Sequence, residues 1–150
     1  MQGSIARICT SFIDVPGKIA VAIYFAGCSV RCSGCQNKAL WEASSGTKMT
    51  VDDIVEKIIQ HPLADTVVFL GGEPTDQMDV LIAVCEKITQ EGSKELILYT
   101  GREFEVLPET LISMLTMIVC GPYRSELGRQ GWPASSNQRV FIRKEGSWQC

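Results

Sequence analysis

The chain has 150 residues with an ordinary globular composition, long enough for one domain with a buried core. Its net charge of −3 gives no overall attraction to nucleic acid or to an anionic membrane. No apolar run reaches the length of a membrane span, and the first residues have no apolar core of signal-peptide length. We therefore expect a cytoplasmic protein with a single domain over residues 1–150, which binds neither nucleic acid nor membranes.

Apolar, strand-like runs alternate with helix-like segments from residue 19 onward. Thr50 is predicted to cap the first helix, which Pro62 ends, and Asp76 to cap the second. Residues 103–115 predict a weaker third helix, and the polar residues 124–138 predict a surface loop. The strands are predicted at 19–25, 66–70, 95–99, 116–119 and 140–142.

This alternation predicts an α/β fold with a mostly parallel sheet covered by helices. In such folds, functional residues gather at the carboxyl ends of the strands. Four short segments follow successive predicted strands, so we expect them on one rim of the sheet: the cysteine loop after residue 27, "GGEP" (71–74), "TG" (100–101) and "CGPY" (120–123). The strands are too few for a closed eight-stranded barrel, which leaves an open partial barrel and a doubly wound sheet as alternatives.

Three cysteines, Cys28, Cys32 and Cys35, lie close together in the first rim loop. Thiolates at such spacings bind a soft metal centre, either an iron–sulfur cluster or zinc. A closed zinc site needs a fourth ligand from a distant cysteine, whereas three ligands on a four-iron cluster leave one iron open. Unligated thiols are the third interpretation. The total of seven cysteines is odd, which favours a reducing compartment over a disulfide scaffold.

The residues outside the triad have simpler interpretations. Cys9 and Cys85 are expected to be buried small apolar residues rather than ligands. The "GGEP" segment alone predicts only a turn. Next to the cysteine loop, however, its glycines would let the backbone approach a small ligand, and Glu73 would accept a hydrogen bond from an ammonium group.

The cysteine motif after the first strand, joined to "GGEP" after the second, resembles the radical S-adenosylmethionine (SAM) superfamily. The resemblance implies an α/β fold of the radical SAM type, an open partial (β/α) barrel with a mostly parallel sheet. It also implies a [4Fe–4S] cluster whose open iron is chelated by the amino and carboxylate groups of SAM. In that superfamily, reduction of the cluster cleaves SAM, and the resulting 5′-deoxyadenosyl radical abstracts a hydrogen atom.

Finer features resemble one branch of the superfamily, the activating proteins of anaerobic ribonucleoside-triphosphate reductase. Gly34 stands before the third cysteine, Asn37 two positions after it, and Trp41 follows, as in those activases. The resemblance also covers "DVPG" (14–17), "LYTGREFEVL" (98–107), "CGPYRSEL" (120–127) and "WPASSNQR" (132–139). It therefore runs from about residue 13 to residue 140.

This closer resemblance implies that the chain generates a glycyl radical on a separate anaerobic ribonucleotide reductase. The electron would come from a flavodoxin- or ferredoxin-like donor. The implied cluster ligands are Cys28, Cys32 and Cys35. The implied SAM contacts are Gly34, Cys35, Gln36, Gly72 and Glu73, although these activases often have tyrosine where this chain has Gln36.

Some nearby residues have both a functional and a structural interpretation. Ser135, Ser136 and Asn137 are candidates for contact with the partner's glycine loop, or else belong to a solvated loop. Trp41 and Trp132 are interpreted as packing residues. Arg102 and Glu103, after the third strand, are interpreted as solvated.

Three other functions are open at this point. One is activation of a different glycyl-radical enzyme, or radical modification of a peptide. Another is an iron–sulfur electron-transfer or sensing protein, whose cluster would be fully ligated. The last is a binding module stabilised by zinc.

Overall fold

A computed structural model of the chain describes residues 1–32, 35, 38–92, 94–128 and 131–150. Within these residues, eight strands form one sheet, and three α-helices are present, none of them long and apolar enough to cross a membrane. The strands are β1 (Gln2–Ser11), β2 (Ala20–Phe25), β3 (Thr47–Thr50), β4 (Thr66–Gly71), β5 (Glu95–Thr100), β6 (Met117–Cys120), β7 (Arg139–Lys144) and β8 (Ser147–Gln149). The helices are α1 (Val51–Ile59), α2 (Met78–Glu91) and α3 (Glu109–Ile112).

The strand order across the sheet is β3-β1-β2-β4-β5-β6-β7-β8. The central strands β2, β4, β5 and β6 are parallel, and antiparallel pairs flank them on both sides. The predicted α/β fold is confirmed, and the five predicted strands correspond to the four central strands and β7. The sheet is mixed rather than mostly parallel, because four of the seven strand pairs in the described residues are antiparallel.

The strands that the sequence does not predict are β1, β3 and β8, all of them outside the parallel centre. β1 mixes polar with apolar residues and has a register shift between Ile5 and Arg7. β3 and β8 have only four and three residues, most of them polar. β3 and β8 are the two edge strands and β1 is only partly buried, so none of the three has the continuous apolar run that marks a central strand.

The helix boundaries confirm one predicted cap and correct another. Thr50 Oγ1 accepts a hydrogen bond from the backbone N–H of Asp53 at 3.1 Å and so caps α1 as expected. The prediction that Asp76 caps α2 is wrong, because a 3₁₀ turn (Pro74–Gln77) intervenes and Gln77 is the N-cap residue. The third predicted helix is reduced to a 3₁₀ turn (Phe104–Val106) and the short α3, which follows Pro108.

The two faces of the central sheet have different coverings. On one face, alternate residues such as Val67 and Phe69 of β4 belong to the main core with the helices. On the other face, Val68 and Leu70 join a smaller cluster that includes Val15 from the loop after β1. This smaller cluster contains no residue of α1, α2 or α3, so within the described residues the second face lacks a helical cover.

Candidate functional site

The carboxyl ends of the central strands surround one cavity of about 190 Å³. All four rim segments contribute to its lining, which confirms that they share one edge of the sheet. The lining includes Cys28, Val30, Cys32 and Cys35 after β2, Gly71 to Glu73 at the end of β4, Thr100 and Gly101 at the end of β5, and Gly121 and Tyr123 after β6.

The cysteine loop is closed at its base by two backbone hydrogen bonds. The N–H of Gly27 donates to the carbonyl of Leu40 at 2.7 Å, and the N–H of Cys28 donates to the carbonyl of Trp41 at 2.9 Å. Gly27 has a φ of 104°, a conformation that favours glycine. The two ends of the cysteine loop, at Gly27 and Leu40, therefore lie next to each other.

The three cysteines of the loop are half-buried and line the same cavity. Burial is the main cause that raises the pKa of the Cys32 thiol. A hydrogen bond from the backbone of Tyr123 lowers that pKa, and the nearby Cys35 and Cys28 raise it. The Cys32 side chain is therefore in electrostatic contact with the other two and with the loop after β6.

The donor set fits an iron–sulfur cluster. In a four-iron cluster each thiolate binds a different iron, so the sulfurs surround a larger body. Three half-buried thiols on one cavity supply the soft donors that such a cluster needs. Gly34, Gln36 and Asn37 lie outside the described residues.

The two glycines of "GGEP" fit against the base of the cysteine loop. The N–H of Gly72 donates to the carbonyl of Phe25, and the N–H of Glu73 to the carbonyl of Gly27, both at 2.7 Å. A Cβ atom on Gly72 would lie 2.9 Å from the carbonyl oxygen of Leu40 and still closer to that of Gly27. Gly72 lines the cavity, and the packing of the two loops by itself requires that it have no side chain.

Glu73 is a buried carboxylate, only 1% exposed. Its Oε2 accepts hydrogen bonds from the hydroxyl of Thr75 at 2.6 Å, the N–H of Thr75 at 3.1 Å and the hydroxyl of Thr100 at 2.7 Å. Its Oε1 accepts from the N–H of Gly101 at 2.7 Å. The carboxylate thus joins the rim segments of β4 and β5, and a carboxylate oxygen with one such donor retains capacity to accept another.

Asp76, which the sequence assigns to a helix cap, instead reaches the cysteine loop. Its Oδ2 accepts a hydrogen bond from the N–H of Ser29 at 2.7 Å, and its Oδ1 accepts from the Ser29 hydroxyl at 2.8 Å. Arg102 Nη2 lies 2.9 Å from the same Oδ1 and also donates to the Ser29 hydroxyl. Arg102 is therefore part of a polar cluster rather than simply solvated. No local sequence signal identifies this cluster, because its members lie on three separate loops.

The "SSNQ" segment supports the cavity wall after β6. Ser135 is 0% exposed, so the interpretation of this residue as part of a solvated loop is wrong. Its hydroxyl donates to Asn137 Oδ1 at 2.7 Å, and Asn137 Nδ2 donates to the carbonyl of Pro122 at 2.8 Å. Gln138 Nε2 donates to the carbonyl of Gly121 at 3.2 Å. These side chains brace the loop that brings Tyr123 to Cys32.

The two tryptophans near the site differ in their contacts. Trp41 lines the cavity, and its buried Nε1 has no hydrogen-bond partner among the described residues. A buried donor without a partner is uncommon in folded proteins. Trp132 Nε1 donates to the hydroxyl of Tyr99 at 2.6 Å, and that hydroxyl donates to the carbonyl of Asp14. Sequence reasoning did not identify Tyr99 as a site residue, although it lines the cavity.

The cysteines outside the triad lie elsewhere in the fold. Cys85 is buried within α2, as expected, where burial raises its pKa to about 12. Cys9 is half-buried against the smaller apolar cluster, less enclosed than expected. Cys120 is buried at the end of β6, and Cys150 is exposed. None of these four residues contributes to the cavity lining.

Comparison with known proteins connects this site to a family. The model of the family described as "4Fe-4S single cluster domain" matches residues 14–141. The anaerobic ribonucleoside-triphosphate reductase-activating protein of Enterobacteria phage T4 is 25% identical over 144 residues, which are 91% of this chain and 92% of that protein. The protein of the same name from Haemophilus influenzae is 27% identical over 132 residues, 79% of this chain and 84% of that protein.

Two further similarities involve longer proteins. A putative glycyl-radical enzyme activating enzyme of Methanocaldococcus jannaschii is 35% identical over 106 residues, which are 70% of this chain but 43% of that protein. The crystal structure of QueE from Escherichia coli aligns with a TM-score of 0.56 at 20% identity, over 67% of this chain and 52% of that one. At this identity the structural match bears on the fold alone.

These matches confirm the predicted resemblance and the enzyme class, and with them the [4Fe–4S] cluster and SAM as cofactors. The family model covers more than half of the chain and includes all four rim segments. The chain therefore belongs to the 4Fe-4S single cluster domain family and is one of its radical SAM activating enzymes.

Proposed function

We propose that this chain activates an anaerobic ribonucleotide reductase by generating a glycyl radical on it. The observation that carries the proposal is the match with the phage T4 reductase-activating protein, which covers 91% of this chain and 92% of that protein. Two other activating enzymes that it resembles are longer than this chain, because the 106 and 112 residues that align with it make up 43% and 47% of their lengths. The whole chain, residues 1–150, would act as one radical SAM domain built as an open partial (β/α) barrel.

Within this proposal, Cys28, Cys32 and Cys35 hold the cluster. When bound, the cluster supplies the electron that cleaves SAM. The geometry supports this role because all three thiols line the one cavity at the rim. Gly72 and Glu73 line the same cavity and are proposed to meet the amino group of SAM, with Gly34, Cys35 and Gln36 as further contacts.

The remaining cavity wall suits a reaction that must be kept from water. Leu70, Tyr99 and Val119 line the cavity from the face of the sheet on which, within the described residues, no α-helix packs. Apolar side chains exclude solvent from a reactive species and offer it few polar groups. Because no α-helix of the described part of the chain covers this face, it is the side on which we propose that the partner's glycine segment enters.

The partners in this account are proteins. One is the glycyl-radical reductase, and the other is a flavodoxin- or ferredoxin-like donor that reduces the cluster. A second candidate, activation of another glycyl-radical enzyme, is favoured by the 35% identity to the Methanocaldococcus jannaschii activating enzyme.

The test compares two partners under the same conditions. The anaerobically reconstituted protein is reduced, mixed with SAM, and incubated either with an anaerobic ribonucleotide reductase or with a pyruvate formate-lyase. The electron paramagnetic resonance (EPR) spectrum then reports any glycyl radical. We expect a SAM-dependent glycyl signal with the reductase alone. A signal only with the formate-lyase would replace this proposal with the second candidate, and no signal with either partner would contradict both.

A further inference from the structure

Asp76, Ser29 and Arg102 form a polar cluster that we name the rim clasp. It joins three separate segments of the rim: the cysteine loop, the turn after "GGEP" and the turn after β5. One carboxylate accepts from the backbone N–H of Ser29, the hydroxyl of Ser29 and the guanidinium of Arg102. The sequence separations are 47 residues from Ser29 to Asp76 and 26 from Asp76 to Arg102, so these contacts exist only in the folded protein.

The clasp holds the backbone directly beside Cys28. The N–H of Cys28 is bonded to the carbonyl of Trp41, and the N–H of the next residue, Ser29, is bonded to Asp76. The Cys28 residue is thus fixed from both sides. A carboxylate that accepts a backbone N–H forms a charge-assisted hydrogen bond, which is stronger than a neutral one.

Arg102 has an orienting role in the clasp. Its own backbone N–H donates to the Thr100 hydroxyl at 3.0 Å, and that hydroxyl donates to the buried Glu73. The Arg102 side chain is 40% exposed and that of Asp76 25%, so solvent screening leaves the ion pair with little net stabilisation. The clasp therefore matters for where it places the carboxylate rather than for the energy of the charge pair.

We propose that Asp76 is a positioning residue, which holds the Cys28 end of the cysteine loop in the geometry required by the site, with Arg102 orienting its carboxylate. The link to catalysis rests on the proposed ligand role of Cys28. The effect of Asp76 on the mobility of the loop beside Cys28 does not depend on that ligand role.

The first test uses the metal-free, reduced protein without SAM or any partner. A short pulse of iodoacetamide is followed by peptide mass spectrometry, which gives the labelling rate of each cysteine. In Asp76→Ala we expect Cys28 to react roughly three- to tenfold faster, as expected for the loss of about one net hydrogen bond. The exposed Cys150 supplies the reference rate, and the buried Cys85 reports whether the core stays folded.

Matched variants separate this role from a general effect of removing a charge. Asp79→Ala removes an exposed carboxylate from the first turn of α2, three residues away, and should leave Cys28 at the wild-type rate. Asp76→Asn keeps an acceptor for the Ser29 N–H, so its Cys28 rate should lie between those of the wild type and Asp76→Ala. Arg102→Gln should give a smaller rise than Asp76→Ala.

The second readout is the EPR spectrum of the reduced cluster after reconstitution, again without SAM. We expect an altered spectrum in Asp76→Ala and a spectrum close to wild type in Asp76→Asn and Asp79→Ala. If Asp76→Ala exposes Cys85 and is therefore unfolded, Asp76→Asn and Arg102→Gln decide the question. The proposal is overturned if the folded variants label Cys28 at the Asp79→Ala rate. Neither readout involves a reductase, so its outcome is independent of the partner proposed above.

Discussion

At the scale of single residues, Glu73 has a structural role that the sequence motif does not reveal. The resemblance implies a contact with SAM, whereas the structure shows a buried carboxylate joined to Thr75, Thr100 and Gly101. All of these partners donate, so the site requires an acceptor on both oxygens. The same side chain therefore holds two rim segments together before any ligand binds.

Replacing Glu73 by glutamine should destabilise the fold. The glutamine NH₂ group would face a donor, either the N–H of Gly101 or the group of donors around Oε2, and one buried donor would lose its partner. We expect a loss of about 2 kcal/mol in the free energy of unfolding, measured by urea denaturation of the metal-free protein. Glu86→Gln, on the exposed side of α2, should change it by less than about 0.5 kcal/mol. Equal losses of stability in the two variants would contradict the structural role of Glu73.

Gly72→Ala should disturb the base of the cysteine loop. The added methyl group would collide with the carbonyl groups of Gly27 and Leu40, which are backbone atoms and cannot rotate away. We expect a loss of about 2 kcal/mol in stability and a lower iron content after reconstitution.

The control for Gly72→Ala is Gly146→Ala, in the turn between β7 and β8. Gly146 has a φ of 81°, but an added Cβ atom there would have no heavy atom within 4 Å. That variant should lose roughly 1 kcal/mol through backbone strain and retain its iron. If Gly72→Ala also retained its full iron content, the proposed fit between "GGEP" and the cysteine loop would be wrong.

The site residues differ in how far the sequence could predict them. The three cysteines and the "GGEP" segment are short motifs that can be recognised from their spacing in the sequence. Their position on one rim follows from the order of strands and loops. Asp76 and Tyr99 have no such local signal. Their roles depend on which loops become neighbours in space, since Asp76 reaches back 47 residues and the Tyr99 hydroxyl reaches back 85 residues to Asp14.

At the scale of elements, the four parallel strands and β7 were predictable from the sequence, whereas β1, β3 and β8 were not. β2, β4, β5 and β6 bury both faces and therefore read as continuous apolar runs. β1 is interrupted by polar residues, and its long antiparallel pairing with β2 becomes clear only in three dimensions. The turn after β4 is also not predictable from local sequence. A 3₁₀ segment precedes α2 there, and Asp76 contacts the distant Ser29 instead of capping the helix.

The sequence shows the loop after β1 only as part of a resemblance, and the structure places it on the face of the sheet where, within the described residues, no α-helix packs. Asp14 Oδ2 accepts from the hydroxyl of Tyr24 at 2.7 Å, and the Asp14 carbonyl accepts from the hydroxyl of Tyr99. The "DVPG" segment that resembles the activases thus has a direct structural role. It covers the end of the sheet behind the cavity with Val15.

The anchoring of this loop by Tyr24 and Tyr99 predicts a loss of stability at high pH. Burial is the main cause that raises the pKa of each hydroxyl to about 12. The folded protein holds these protons more tightly than the unfolded chain, in which a tyrosine has a pKa of about 10. Their contribution to stability is therefore complete below about pH 10 and is lost as the pH rises toward 12.

The measurement is the near-ultraviolet absorbance of tyrosinate in the native protein as the pH rises. The chain has three tyrosines, so Tyr24→Phe and Tyr99→Phe assign the steps. Each variant should lose one step near pH 12. Titration of Tyr24 and Tyr99 near pH 10 in the folded protein would show that the loop is not held in this way.

At the scale of the whole molecule, the main core and the candidate site lie on different sides of the sheet. The helices and the main core lie on one face of the sheet, while the cavity meets the other face at the rim. The rim segments interlock through Gly72, Glu73 and the rim clasp, so the cysteine loop is held by neighbouring strands rather than by its own sequence alone. Within the described residues this arrangement leaves one side of the sheet without a helix, and that is the side on which we propose that the partner's glycine segment enters.

The most direct test of the central claim is formation of 5′-deoxyadenosine from SAM by the reconstituted, dithionite-reduced protein, measured by mass spectrometry. We predict product from the wild type and from Cys150→Ala, whose cysteine is exposed and away from the cavity. Alanine at Cys28, Cys32 or Cys35 should abolish it. Wild-type protein that carries its [4Fe–4S] cluster and forms no 5′-deoxyadenosine, or triad variants that form it at the wild-type rate, would contradict the account.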